Sequence, residues 1–427
     1  MRHEFLWRRR NSGDRQVAEN LLRETWTNLD TYELRLLLDS RIGGPGQFDD
    51  QDANPNTFYL PRARASCRVV LTFRKNKIIA VEKGPTFDVA EWQAIAGEIV
   101  SAILVGPSKV GREYSFCSYR VPGSWHGARS GVQILPPPPQ APQAPVEMAA
   151  HPFILEFPIN GAPADLGLIT NHRRMREHHR LTLLLNVLLT AHVSFESSRF
   201  QDFWAYIPPP EGSQGNGESR WLQRLFLAPL GAPVTDNLSP LATDRLAEIA
   251  PEPYYMSVGH DGNPLRLPTD LDETLCHYRD LSGADRSKFD RAAYWFYVAS
   301  RQSTVSLSSS FASLVSAVES LTDRGTTHQV YCMQCQTDRL HETPGATERF
   351  RSFFETHAPG AALKHRRSHM YELRSDILHG SHVMLVDQDL AFGWDPPGWN
   401  ERELQYELWS ITHLALRNWL KTRSLTT

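Results

Sequence analysis

Apolar residues in this chain fall first into short β-branched and aromatic runs and later into helical stripes, and the change from one to the other first reveals its organisation. Before residue 135, Arg68 to Phe73 and Lys77 to Glu82 are rich in β-branched and aromatic residues around Lys75-Asn76, which predicts a hairpin. Trp92, Ile95, Ala96, Ile99 and Ile103 then recur at helical spacing and predict a helix over Phe87 to Leu104, followed by a strand over Arg112 to Arg120. Pro152 to Ile159 predicts another strand and Asp165 to Phe195 a long helix, with a loop-rich passage around Pro208-Pro209-Pro210 after it. From about Thr269 only the helical period remains. Its stripes are Phe289, Ala292, Ala293 and Phe296; Leu307, Phe311, Leu314, Val315 and Val318; Phe350, Phe353 and Phe354; Met370, Leu373 and Ile377; and Leu404, Leu408, Ile411, Ala415 and Trp419. Amphipathic helices joined by modest loops predict a bundle.

The fold class expected is therefore α+β, a mixed α/β region followed by an all-α helical bundle. Pro136 to Pro145, rich in proline and glutamine, reads as an extended spacer and marks the clearest boundary. The domain plan is an α+β domain over 1–135, a Pro-rich linker over 136–146, a strand-helix segment over 147–268 and the helical domain over 269–427. A chain of 427 residues exceeds one ordinary core, and 41% hydrophobic with 22% charged residues is a globular composition.

Net charge is -3, so nucleic-acid contact has to come from local basic patches. Met1 to Arg10 lacks the apolar core of a signal peptide, and the most apolar run, Leu181 to Val193, is broken by Asn186 and His192. A cytosolic protein with no membrane span is expected. Five cysteines, two of them as Cys332-x-x-Cys335, fit a reducing compartment. The phosphate-binding Gly-x-x-x-x-Gly-Lys loop, the His-Glu-x-x-His helix and the Gly-x-Ser-x-Gly elbow are all missing. Cys67 and Cys117 lie on predicted strands and read as core residues.

The sharpest chemical feature is Arg374-Ser375-Asp376-Ile377-Leu378-His379-Gly380. An imidazole that titrates near neutral pH beside a permanent guanidinium suffices to cut RNA without a metal. The histidine would move a proton and the arginine would stabilise charge on the phosphate. At about 100° per residue the two positions diverge by roughly 140°, so they converge only if the helix ends there. Gly380 is suited to ending it, because glycine takes the left-handed capping conformation. Glu319, inside the stripe of an earlier helix, either pairs with Arg374 or faces solvent. The bland alternative is that Arg374 and His379 only satisfy a helix end and Asp376.

Arg-x4-His at a helix end within a helical bundle resembles the HEPN domains. Phe311 to Leu321, with its Ala-x-Glu-x-Leu pattern, Arg349 to Phe354, and Tyr371 to Gly380 are similar to the ApeA-like branch. The likeness covers roughly residues 283 to 423. Ser375 departs from the Asn, Asp or His that often follows the arginine. The resemblance implies a metal-independent endoribonuclease of antiphage defence, with Arg374 and His379 catalytic and Glu319, Ser375 and Asp376 supporting them. In such a reaction the 2′-hydroxyl attacks the adjacent phosphate and leaves a cyclic phosphate end. It also implies a homodimer with two motifs across one groove, and a phage-derived or host trigger acting through the N-terminal region. Other members of the family are non-catalytic modules that bind nucleotide, nucleic acid or a partner.

Two further patterns carry candidate chemistry. His328, Cys332, Cys335 and His341 supply four zinc-type ligands in a predicted loop between helices. Closed by four protein ligands, such a zinc would be structural; the alternative is unligated thiols in a surface loop. Lys364, Arg366 and Arg367 lie just before the motif and are candidate RNA contacts, against the alternative of a solvated helix face. His172 to Arg180 is a second basic run, read as contacting RNA, the N-terminal domain or a partner.

Overall fold

The computed structural model describes residues 26, 30–42, 47–48, 57–60, 69–74, 77–83, 89–104, 106–137, 151–162, 167–195, 205–207, 220–222, 231–256, 263–323, 325–333, 336–360, 364–388 and 396–424. They form two compact units, one of residues 1–109 and 159–175, the other of 110–158 and 176–427.

The first unit holds α1 (Thr31–Ile42), a four-stranded sheet of β1 (Gln47–Phe48), β2 (Thr57–Leu60), β3 (Val69–Arg74) and β4 (Lys77–Lys83), and α2 (Val89–Leu104). β3 and β4 pair antiparallel, as their β-branched and aromatic composition predicts. The register shifts between Thr72 and Phe73, so Thr72 faces Ala80 but Phe73 faces Ile78. One extra residue in β4 is why Ile78 and Val81, three apart, are both buried while Ile79 is exposed. Leu34, Leu37 and Leu38 of α1 and Trp92, Ile95, Ala96 and Ile99 of α2 complete this core. Burying each of the larger side chains contributes about 1.5–3 kcal/mol.

The first turns of α3 (Gly167–Leu188) also belong to this unit. They tie to α1 by charge: Arg173 is buried against Glu33 and donates to the Gly161 carbonyl at 2.9 Å, while His172 lies 3.0 Å from Asp30. The start of the basic run is thus an internal connection.

The second unit contains a six-stranded sheet: β5 (Ser108–Cys117), β6 (Trp125–His126), β7 (Gln133–Leu135), β8 (His151–Asn160), β9 (Val193–Ser194) and, after the small pair β10 (Ala205–Ile207) and β11 (Arg220–Leu222), β12 (Val234–Thr235). β7 and β8 are antiparallel neighbours, Leu135 opposite Ile154. The proline tract therefore joins two strands of one sheet and does not separate domains; residues 138–150 lie outside the described set. The long helix also ends earlier than expected, at Leu188. Asn186 explains the stop: its amide donates to the Val193 carbonyl at 2.6 Å and accepts from the Val193 N–H at 3.1 Å, folding the chain back into β9.

The helical region follows β13 (Ala247–Ile249), α4 (Pro251–Met256) and β14 (Arg266–Pro268). It comprises α5 (Leu271–Asp280), α6 (Gly283–Gln302), α7 (Leu307–Leu321), α8 (Ala346–His357), α9 (Lys364–Leu378), α10 (Leu385–Gln388) and α11 (Pro396–Ser424). All five predicted stripes fall on these helices. α7 packs against α6, α8, α9 and α11, and its small residues Ser310, Ala312, Ser313 and Ala317 are buried, letting neighbours approach closely.

The region is not all-α. An antiparallel hairpin, β15 (Thr326–Cys332) and β16 (Thr337–Thr343), stands where a loop is predicted. Among the described residues no helix is long and apolar enough to cross a membrane.

Candidate functional site

The site is built on α9 and α7. Met370 and Leu373 bury one face of α9, which leaves Tyr371 and Arg374, three residues apart, together on a partly exposed face. Both reach the same carboxylate. Glu319 of α7 accepts from Arg374 Nη2 at 2.8 Å and from the Tyr371 hydroxyl at 3.0 Å, and the guanidinium carbon lies 5.6 Å from the Tyr371 ring centre. The ion pair is part-exposed, with side-chain exposures of 21% and 31%, so it is worth at most about 1 kcal/mol after solvent screening. Arg374 Nε is buried without a hydrogen-bond partner. Burial, the Glu319 charge and the Glu319 hydrogen bond raise the Tyr371 hydroxyl above its ordinary pKa, against the opposing charges of Arg374 and Arg349. Tyr371 is thus a member of the site that sequence reasoning did not assign; its place one helical turn before Arg374 was the available signal.

α9 closes as Gly380 predicts. Gly380 has φ +73°, its N–H donates to Ile377 O at 3.1 Å, and Ser381 N–H donates to Asp376 O at 3.0 Å. This is the Schellman arrangement, with His379 as the cap residue. His379 donates its backbone N–H to Ser375 O at 2.9 Å and exposes its side chain. Ser375 is half-exposed, and the Asp376 carboxylate reaches the Ser381 hydroxyl only at 3.5 Å. Among the described residues no hydrogen bond joins Arg374 to His379.

The chain leaving His379 is anchored on two helices. Glu401 of α11 accepts from Leu385 N at 2.7 Å and lies 3.2 Å from His382 Nε2. Asp387 caps the start of α7, accepting from Leu307 N and Ser308 N at 2.8 Å each and from the Ser306 hydroxyl at 2.9 Å. Burial raises the Asp387 carboxyl, but the hydrogen bonds from Ser308, Leu307 and Ser306 outweigh it and hold the group below its ordinary pKa. His379 therefore stands on a turn fixed at both ends, exposed to solvent, five residues after an arginine held by Glu319.

The candidate RNA contacts are placed differently. Arg367 is buried, donates to the Ala358 carbonyl at 2.9 Å at the end of α8 and lies over Phe354, so it cannot meet a phosphate backbone. Arg366 is engaged with Glu407 at 2.6 Å. The side chain of Lys364 lies outside the described residues. In the other basic run, Arg180 pairs with Glu177 at 3.1 Å and with Asp290 at 3.5 Å.

The zinc-type set divides on the hairpin. His328 faces His341, whereas Cys332 lies at the far end of the same strand, opposite Thr337. Four residues of strand are about 13 Å, which sets the backbone of Cys332 about that far from the His328–His341 pair. Cys335, and the side chains of His328, Cys332 and His341, lie outside the described residues. Comparison with family profiles, curated proteins and solved structures yields no match for this chain.

Proposed function

We propose that the protein is a metal-independent endoribonuclease of the HEPN type, acting in antiphage defence. The observation that supports this most is the exposed His379 on the Schellman turn, five residues after an arginine already oriented by Glu319 and Tyr371. In this reading an imidazole takes the 2′-hydroxyl proton as the 2′-oxygen attacks phosphorus. The bond from phosphorus to the 5′-oxygen breaks, and a protonated imidazole returns a proton to that leaving oxygen. Arg374 holds the phosphate oxygens as charge builds on them. The two proton positions suit a homodimer, in which a second copy supplies the second imidazole. Exposed Leu378 and Val383, flanking His379, give that copy an apolar surface to cover.

The other reading, a non-catalytic module that binds nucleotide, nucleic acid or a partner protein, is favoured by the Glu319 carboxylate, which already neutralises part of the Arg374 charge. The two separate in one experiment. The purified chain, alone and with lysate of phage-infected cells, is incubated with tRNA and total RNA in EDTA beside His379→Ala and Arg374→Ala. The nuclease reading expects new 2′,3′-cyclic phosphate ends and a loss of about 10²–10⁴-fold in His379→Ala. Identical traces for all three proteins in both conditions overturn it.

A further inference from the structure

A cavity of about 640 Å³ opens between α4, the start of the loop after α3, and α11. Its wall is aromatic, with Tyr119, Tyr255, Tyr406 and Trp409, and its floor carries His413 and Arg417. None of these belongs to the site around Glu319. The size falls within the range of small-molecule sites, roughly 300–1,000 Å³.

Arg417 is the unusual member. The residue is 7% exposed, its guanidinium carbon lies 3.2 Å from the Tyr255 ring centre with a side-chain hydrogen bond between the two, and Nε donates to the His413 carbonyl at 3.3 Å. Among the described residues no carboxylate pairs with it. Asp270, whose charge also acts on Arg417, is held by Lys421 at 2.5 Å. A buried cation without a paired anion is costly, and the cavity is the side from which an anion can reach it. His413 is also buried, stacked on Phe296 at 5.3 Å, with Nε2 lacking a hydrogen-bond partner. Burial, with the Arg417 charge adding to it, keeps this imidazole neutral at ordinary pH. Of His413 and Arg417, then, only the arginine carries a charge; the lining also includes Lys421, held by Asp270, and the exposed Glu252 carboxylate. At the rim, Tyr406 is 58% exposed and nearly parallel to Trp409, a surface on which a flat ring can stack.

We propose that this cavity binds a small flat aromatic molecule bearing a single anionic group, with the anion on Arg417 and the ring against Trp409 and Tyr406. Two sources share that chemistry, a nucleoside monophosphate and an aromatic carboxylate. Calorimetric titration of the full chain with AMP, GMP, CMP and UMP in one arm, and with benzoate and indole-3-carboxylate in the other, distinguishes them. The proposal expects saturable binding in at least one arm, with adenosine or indole at least about tenfold weaker than the charged counterpart. Arg417→Gln should weaken binding by roughly tenfold or more. Ser410→Trp, which fills the wall from a half-exposed position, should abolish it with the circular dichroism spectrum unchanged. If Arg417→Gln does not fold, Ser410→Trp and Tyr406→Ala decide, since neither removes a buried group. His379→Ala should bind as the parent does, which separates this site from the proposed nuclease site. Silence in both arms, equal binding of charged and neutral probes, or full binding by folded Ser410→Trp overturns the proposal.

Discussion

Glu156 in the sheet and Glu319 in the helical region each bind an arginine, and the two differ in everything around the pair. Glu156 is fully buried and accepts from Arg112 Nε at 2.7 Å, Ser239 N at 2.8 Å, Ser239 Oγ at 2.6 Å and Gln133 Nε2 at 3.2 Å. Every lone pair direction has a donor, and water has no access. Glu319 accepts from two side chains, and both pair members are partly exposed. A closed cluster fixes strands; an open one holds a guanidinium in place while leaving it able to bind something else.

The largest expected effect is on the closed side. Glu156→Ala leaves Arg112 and the Ser239 amide facing a buried void and should cost about 3–5 kcal/mol in urea unfolding. A loss below about 1 kcal/mol would mean the cluster is wetter than its burial indicates and would erase the contrast.

A buried histidine gives a pH test on the closed side. Burial, with the Arg301 charge adding to it, lowers His192 from 6.5 to about 4. Between those values the unfolded chain binds more protons than the folded one, so stability rises with pH across the window. It is fully present above about 6.5 and is lost as pH falls toward 4, with a slope of at most about 1.4 kcal/mol per pH unit. His192→Phe, which keeps the stacking on Tyr297, should flatten the slope, leaving the part due to the other histidines that burial lowers, His179, His357 and His413.

How much of this was legible in the sequence followed the range of the cause. Gly380 as the end of α9 was readable because the reason is local: a left-handed backbone admits glycine almost alone. The stripes of α6 to α11 were readable because helical burial repeats every three to four residues. Arg367 was not, since its partner is a carbonyl on another helix and nothing in a run of cations marks the one that turns inward. The β15–β16 hairpin was masked by its own cysteines and histidines, which drew attention to ligands and away from the alternation of Thr327, Gln329 and Tyr331. The joining of β7 to β8 across the proline tract depends on pairing between distant segments, to which local composition is blind. Glu319 was visible as a carboxylate out of place in an apolar stripe, yet Tyr371 as its second donor needed the packing of α7 on α9.

On the open side the first variant is Gly380→Ala. At φ +73° a β-carbon is strained, so the variant should lose about 1–2 kcal/mol. Since Gly380 meets no neighbour that an added carbon would strike, the cost is backbone conformation alone. The turn bearing His379 should loosen in consequence, and faster hydrogen exchange at Ser381 and His382, whose amides close the turn on Asp376, checks it. Unchanged exchange would show that Glu401 and Asp387 hold the turn without the cap.

The smallest stability effect and the sharpest test belong to Glu319→Gln. The substitution keeps the shape and one acceptor but removes the charge, so a part-exposed pair predicts a loss of no more than about 1 kcal/mol. Tyr371 reports the change directly. Of the three causes that raise its hydroxyl, burial remains, while the Glu319 charge and the hydrogen bond to a carboxylate disappear, and the opposing positive charges of Arg374 and Arg349 act unbalanced. Its pKa should fall toward 10.0, visible as tyrosinate absorbance appearing at lower pH in the variant and absent from the same titration of Tyr371→Phe. If Arg374 depends on that carboxylate for its orientation, any RNA cleavage should fall in Glu319→Gln together with the titration shift. Cleavage that survives while Tyr371 shifts would mean that α9 itself positions the arginine and that Glu319 only tunes the tyrosine. A Tyr371 that does not shift would put the carboxylate in water, and the open cluster would then be no cluster at all.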